Sequence, residues 1–172
     1  ILVDMKGGFL MNKSIYILMG PSASGKTTLG RYLQGEGLEE LISHTTRQIR
    51  EGEEEGVTYY FIDEVEFPKI DKVEKTIYAG NKYCLSVEEI ERKLKRSDKT
   101  FIIMDRNGIE EILETDYRDI VEVIYIKIGY WDMISRLVKR DGIFKAIKRF
   151  YHAIAKGEFC NDDIADKIIE NK

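Results

Sequence analysis

Apolar and polar positions change period several times along this chain. Residues 14–19 form an apolar run ending in Gly20-Pro21, which predicts a buried strand. Residues 26–34 have helical spacing, and Gly35 and Gly37 supply the stop. A second short strand is expected at 41–43, and the polar stretch 45–56 predicts a loop. Residues 57–62 carry alternating β-formers, and 73–85 read as two strands broken at Gly80-Asn81. Strand and helix then alternate. A helix is expected at 86–96, opening on the capping-box pattern Ser86-Val87-Glu88-Glu89. A strand follows at 100–104, a short helix at 108–113 and a strand at 120–128. Helices are expected at 131–139, 144–155 and 162–169.

Alternating β-α units imply an α/β fold, a mostly parallel sheet with helices on both faces. The stretch 45–85 has antiparallel character and reads as an insertion. The expected division is therefore a core of residues 11–43 and 87–172 with an inserted lobe at 44–86. Residues 1–10 are expected to form an N-terminal extension ahead of Met11.

Composition narrows the function classes. Of 172 residues, 43% are hydrophobic and 34% charged, a balance typical of folded globular chains. The net charge of −4 argues against nucleic acid or an anionic membrane surface as partner. No apolar run approaches the ~20 residues of a membrane span, and no signal-peptide pattern opens the chain, so a cytoplasmic protein is expected. Cys84 and Cys160 suggest no disulfide framework. His44 and His152 stand alone and suggest neither a metal site nor a general base.

The first chemical motif is Gly20-Pro21-Ser22-Ala23-Ser24-Gly25-Lys26-Thr27, which matches G-x-x-x-x-G-K-[ST] between a strand and a helix. Polyphosphate needs many donors without bulk. Glycines let backbone N–H groups converge on it, and the helix N-terminus adds a favourable dipole. Gly20, Ser22, Ala23, Ser24, Gly25, Lys26, Thr27 and Thr28 are the expected phosphate-binding residues. Lys26 would reach the β- and γ-phosphates, and the Thr27 hydroxyl would ligate Mg²⁺.

The second motif runs from Ser43 to Phe61. Arg47 and Arg50 lie three apart in a polar loop, and two guanidinium forks suit a monophosphate dianion. Tyr59 can add a hydroxyl donor. The competing reading is a solvated loop whose arginines pair with the acids at 51–55. Joined to the phosphate loop, the pattern S-x-T-T-R-x-x-R-x-G-E-x-x-G-x-x-Y-x-F resembles guanylate kinase. The resemblance runs from about Ser14 to about Arg149 and is densest over residues 20–61.

That resemblance implies a P-loop nucleoside-monophosphate kinase fold with a small GMP-binding α+β lobe and a short helical lid at about 136–149. It implies ATP-dependent phosphorylation of GMP, and of dGMP, with Mg²⁺. Arg47, Arg50, Tyr59 and Tyr83 would hold the acceptor phosphate, and Ser43 would lie near the guanine. Glu74, in a stretch similar to E-x-x-x-x-G-N-x-Y, would accept from guanine N1–H and the 2-amino group. Adenine lacks that donor pair and would leave the carboxylate partly unpaired, a strong source of rejection.

The chain also departs from the family. After Tyr83 the family has Gly and then Ser or Thr; here Cys84 and Leu85 stand there and Ser86 comes one later, either to serve the base or to cap its helix. The family pattern D-x-D-x-Q-G is matched by Asp105 and Gly108, with Ile103 replacing the first acid. Asp105 would orient Mg²⁺-bound water or the acceptor, or it caps a helix. Arg136 and Arg140 share a helix face and, with Arg149, resemble lid arginines that stabilise the transferring phosphoryl group; a basic helix surface is the alternative. Asn161 resembles the family asparagine near the adenine. Two further functions stay open: a related kinase using another phosphorylated acceptor such as a ribose bisphosphate, and a non-catalytic phosphopeptide-binding module. A monomer or homodimer is expected.

Overall fold

The computed structural model describes residues 13–78 and 80–171. The extension expected at 1–10, and Met11, lie outside the described residues.

In chain order the elements are β1 (Ser14–Met19), α1 (Lys26–Gly35), β2 (Glu39–Glu40), β3 (His44–Thr45), β4 (Tyr60–Phe61), β5 (Lys72–Tyr78), β6 (Asn81–Ser86), α2 (Val87–Leu94), β7 (Lys99–Ile103), α3 (Arg106–Leu113), β8 (Val121–Lys127), α4 (Tyr130–Asp141), α5 (Ile143–Ala155) and β9 (Lys167–Glu170). Short 3₁₀ turns occur at Phe67–Lys69 and Asp116–Ile120.

Five strands form one sheet in the order β2-β7-β1-β8-β9, all parallel. Ile15, Ile17 and Met19 alternate onto one face and share a buried core with Ile90 and Leu94 of α2 and Ile109 and Ile112 of α3. On the other face Phe101 lies opposite Tyr16 in register, and α1 packs over it. A Cβ on Gly30 would stand 3.0 Å from the Phe101 ring, so glycine permits that close approach. A second core joins Ile128 to Met133 and Leu137 of α4 and Ala146 and Ala153 of α5, with Ala23 of the phosphate loop against it. Each of the buried Ile, Leu and Met side chains contributes about 1.5–3 kcal/mol.

The smaller sheet, β4-β3-β6-β5, lies within residues 44–86. Strands β5 and β6 are antiparallel, with a register shift between Lys72 and Glu74. Val73 and Glu74 are therefore both buried, whereas an unbroken strand would send one outward.

Three sequence expectations change. The strand expected at 41–43 lies two residues earlier, at β2; Leu41 and Ile42 are buried beyond its end. Only Tyr60 and Phe61 of the stretch 57–62 pair as strand. The helix expected at 162–169 is absent: residues 167–170 form β9, parallel to β8. Its four residues are all exposed, so no apolar alternation marks the strand in the sequence.

Candidate active site

The C-terminal ends of β1 and β7 open into one cleft of about 560 Å³, walled on the far side by the small sheet. This is where ligands bind in open parallel sheets.

On the β1 side the loop 20–25 leads into α1. Gly20 has φ 144° and Gly25 φ 106°; a Cβ on Gly20 would lie 2.5 Å from the Ile126 carbonyl oxygen. Ala23 also adopts a positive φ, of 61°. Gly20, Ser22 and Lys26 line the cleft. Lys26 Nζ donates to the carbonyls of Gly20 and Pro21 at 2.6 and 2.8 Å. Burial holds its pKa down at about 8; Glu158 opposes that shift and Arg140 adds to it. Ser24 is buried, Thr27 and Thr28 are exposed on the first turn of α1, and none of the three lines the cleft.

Arg136, expected to act on the transferring group, is elsewhere. Its guanidinium donates to the Ala23 carbonyl at 3.3 Å and to Asn171 Oδ1 at 3.2 Å, while Asn171 Nδ2 donates to the Ser24 carbonyl at 2.8 Å. Arg136 thus braces the phosphate loop from outside the cleft. Arg140 and Arg149 also lie off the cleft, and both contact Asp141.

On the far side Arg47 is buried. Both its terminal nitrogens donate to Glu53, at 2.9 and 2.8 Å, and its guanidinium lies 5.4 Å and 5.6 Å from the ring centres of Tyr59 and Phe61. The Tyr59 and Tyr83 rings meet edge to face at 5.8 Å. Arg47, Arg50, Tyr59, Tyr83 and Ser43 all line the cleft, so the structure brings together the residues expected to hold the acceptor. Glu53 belongs to this group; in the sequence it is one of four acids at 51–55 that could pair with the arginines, and nothing there distinguishes it from the others.

Glu74 enters the same cleft from β5 and is only 5% exposed. Burial raises its pKa to about 7, and the charges of Glu111 and Asp105 push the same way against a Leu85 backbone hydrogen bond. Asp105 lines the cleft while its carboxylate accepts from Gly108 N at 3.0 Å, capping α3. Ser86 is a correction: it is buried, its Oγ accepts from Glu89 N at 3.2 Å, and it does not line the cleft. It caps α2.

Asn161 is buried in the cleft wall and accepts from Arg106 at 3.3 Å. Turns, not a strand, precede it; the strand followed by an asparagine is β9 with Asn171. Arg106 is tied to Asp163 and Glu110 and lines the cleft, as do His152, Lys156 and Glu158. No motif marks these four in the sequence. Cys84 is buried with its thiol pushed up to about 12, which makes it inert at neutral pH. Among the described residues no helix is long and apolar enough to cross a membrane.

A glycine-rich loop at the end of a strand thus faces, across one cleft, two arginines, two tyrosines and a buried glutamate. The family model of guanylate kinase matches residues 12–171. The chain belongs to the guanylate kinase family. It is similar to the guanylate kinase of Legionella pneumophila strain Paris, 35% identical over 134 residues, covering 74% of this chain and 63% of that protein. It therefore spans less than two thirds of that relative. The guanylate kinase of Coxiella burnetii is 32% identical over 170 residues, covering 94% of this chain and 81% of its own. Among solved structures, guanylate kinase from Anaplasma phagocytophilum superposes with a TM-score of 0.63 at 27% identity, over 93% of this chain and 77% of that one. The family fold accounts for the parallel sheet, the phosphate loop and the second small sheet.

Proposed function

We propose that this chain transfers the γ-phosphoryl group of ATP to GMP, and to dGMP, giving ADP and the diphosphate. The carrying observation is that one cleft holds Lys26 of the phosphate loop at one end and Arg47, Arg50, Tyr59, Tyr83 and Glu74 at the other.

The acceptor phosphate is held by the two arginines and the two tyrosine hydroxyls. The guanine edge meets Glu74, with Ser43 beside it. The acceptor phosphate is ionised near neutral pH, so no general base is needed. Lys26 turns from its own loop carbonyls onto the donor phosphates, where its charge offsets the charge developing on the transferred group. The lid at about 136–149 brings Arg140 and Arg149 to the same group and excludes water on closing. Catalysis is positioning plus electrostatics between two closing parts.

Magnesium fits this site as a companion of the nucleotide. Among the described residues no three His, Cys, Asp or Glu side chains cluster to hold a metal unaided. Thr27, exposed at the start of α1, would hold it with the phosphates, and Asp105 would hold its water. When bound it neutralises phosphate charge. The proposed setting is cytoplasmic.

A coupled assay of ADP formation tests the reading. Turnover with GMP should far exceed turnover with AMP. Equal rates with both, or turnover only with a sugar phosphate, would overturn it.

A further inference from the structure

Arg140 and Arg149 come from opposite arms of the α4–α5 hairpin, yet both turn onto Asp141. Arg140 donates from Nε and Nη2 to the two carboxylate oxygens at 3.0 and 2.9 Å. Arg149 Nε lies 3.3 Å from the same Oδ2 that Arg140 Nη2 contacts. Two guanidinium groups therefore converge on a single oxygen. Like charges gather this closely only around an anion, and the Asp141 side chain, 17% exposed against 51% for each arginine, is that anion. Arg140, then Arg149 and Lys145, hold its carboxyl below the usual range. Gly142, with φ 80° and ψ 163°, makes the sharp turn that starts α5 directly after it.

Two guanidiniums on one oxygen is also the arrangement that a terminal phosphate oxygen demands. The acceptor side has a parallel: Glu53 takes both ends of Arg47 and, in addition, the backbone N–H of Arg50 at 2.9 Å. The Arg140 charge depresses the Lys26 ammonium, so Arg140 lies within electrostatic reach of the phosphate loop.

We propose that Asp141 is a positioning residue for the donor nucleotide: it keeps Arg140 and Arg149 paired as an internal stand-in for a phosphate oxygen and yields them to the polyphosphate of ATP. This rests on the ATP-dependent reading above. Pairs this exposed are weak, so the carboxylate gives way readily, yet it competes with the donor until it does.

Calorimetry on the whole chain with ATP, and separately with inorganic tripolyphosphate, tests it. Asp141→Asn should bind both about two- to fivefold more tightly, the competition expected from exposed ion pairs. Asp132→Asn, which removes a carboxylate from the same helix, should bind as the unsubstituted protein does. In an Arg140→Met/Arg149→Met background, Asp141→Asn should add nothing. Asp141→Ser carries the same expectations and guards against a misfolded variant. Affinity that is unchanged or weaker overturns the proposal, as does a gain that Asp132→Asn reproduces or that persists without the two arginines. If the unsubstituted chain binds neither ligand, the kinase reading itself falls, and this inference with it.

Discussion

A Cβ built on Gly108 would stand 3.4 Å from Glu74 Oε2 and 2.7 Å from Met104 Cγ. The glycine of α3 is therefore kept by contact with the buried acid and its neighbour. Helix propensity alone favours alanine there by about 1 kcal/mol. Gly108→Ala should fold and should weaken GMP binding severalfold by crowding Met104 toward the cleft it lines. Calorimetry with GMP checks this; ATP affinity should not move.

Glu74 carries a pH signature. Its carboxyl titrates near 7 in the folded chain, above its ordinary 4.5, so the folded state holds the extra proton between those values. Stability contributed by the protonated form is present below about pH 4.5 and is lost as pH rises through 7, on the order of 3 kcal/mol in all. Denaturant melts should show this slope in the unsubstituted protein and not in Glu74→Gln. The proposed guanine contact needs the ionised acid, so GMP affinity relative to that of Glu74→Gln should improve from pH 6 to pH 8.

Lys26 is held in the opposite sense. Its ammonium titrates near 8 instead of 10.5, so burying the charge costs stability that returns only as pH rises from 8 toward 10.5. Lys26→Met should abolish turnover and raise the melting temperature at pH 7 by about 2–4 °C, the shift expected for ~1 kcal/mol at this size. Coupled assay and calorimetric melting measure both on one sample.

Ser86→Ala separates a cap from a base contact. Loss of the Oγ that receives Glu89 N should cost about 1 kcal/mol in a urea melt. The ratio of GMP to AMP turnover should stay as it is in the unsubstituted chain.

The phosphate loop was legible because its motif sits between an apolar strand and a helix, and local chemistry decides both. That Arg47, Arg50, Tyr59 and Glu74 belong together was legible through the family resemblance, not from spacing alone, and the bulge that turns Glu74 inward was not legible, since it depends on β6. Apolar Leu41 and Ile42 marked burial, and the ladder with β7 ends between them: Leu41 N still donates to the Phe101 carbonyl at 2.8 Å, whereas Ile42 N meets the Glu89 carboxylate at 3.0 Å. The i, i+4 spacing put Arg136 and Arg140 on one helix face, yet only contacts distant in sequence send one to Ala23 and leave the other with Asp141. Strand β9 escaped notice because Lys-Ile-Ile-Glu is too short to favour strand over helix until β8 is beside it.

The brace on the phosphate loop has a consequence for biosynthesis. Asn171 anchors the Ser24 carbonyl from 147 positions further along the chain, and it is itself set by its backbone bond to Lys127 at 2.9 Å. Residues 20–25 thus acquire this brace only after a segment 147 positions later has left the ribosome. On the proposed kinase reading, ATP binding to the braced loop becomes a late checkpoint that reports a sheet with β9 in place.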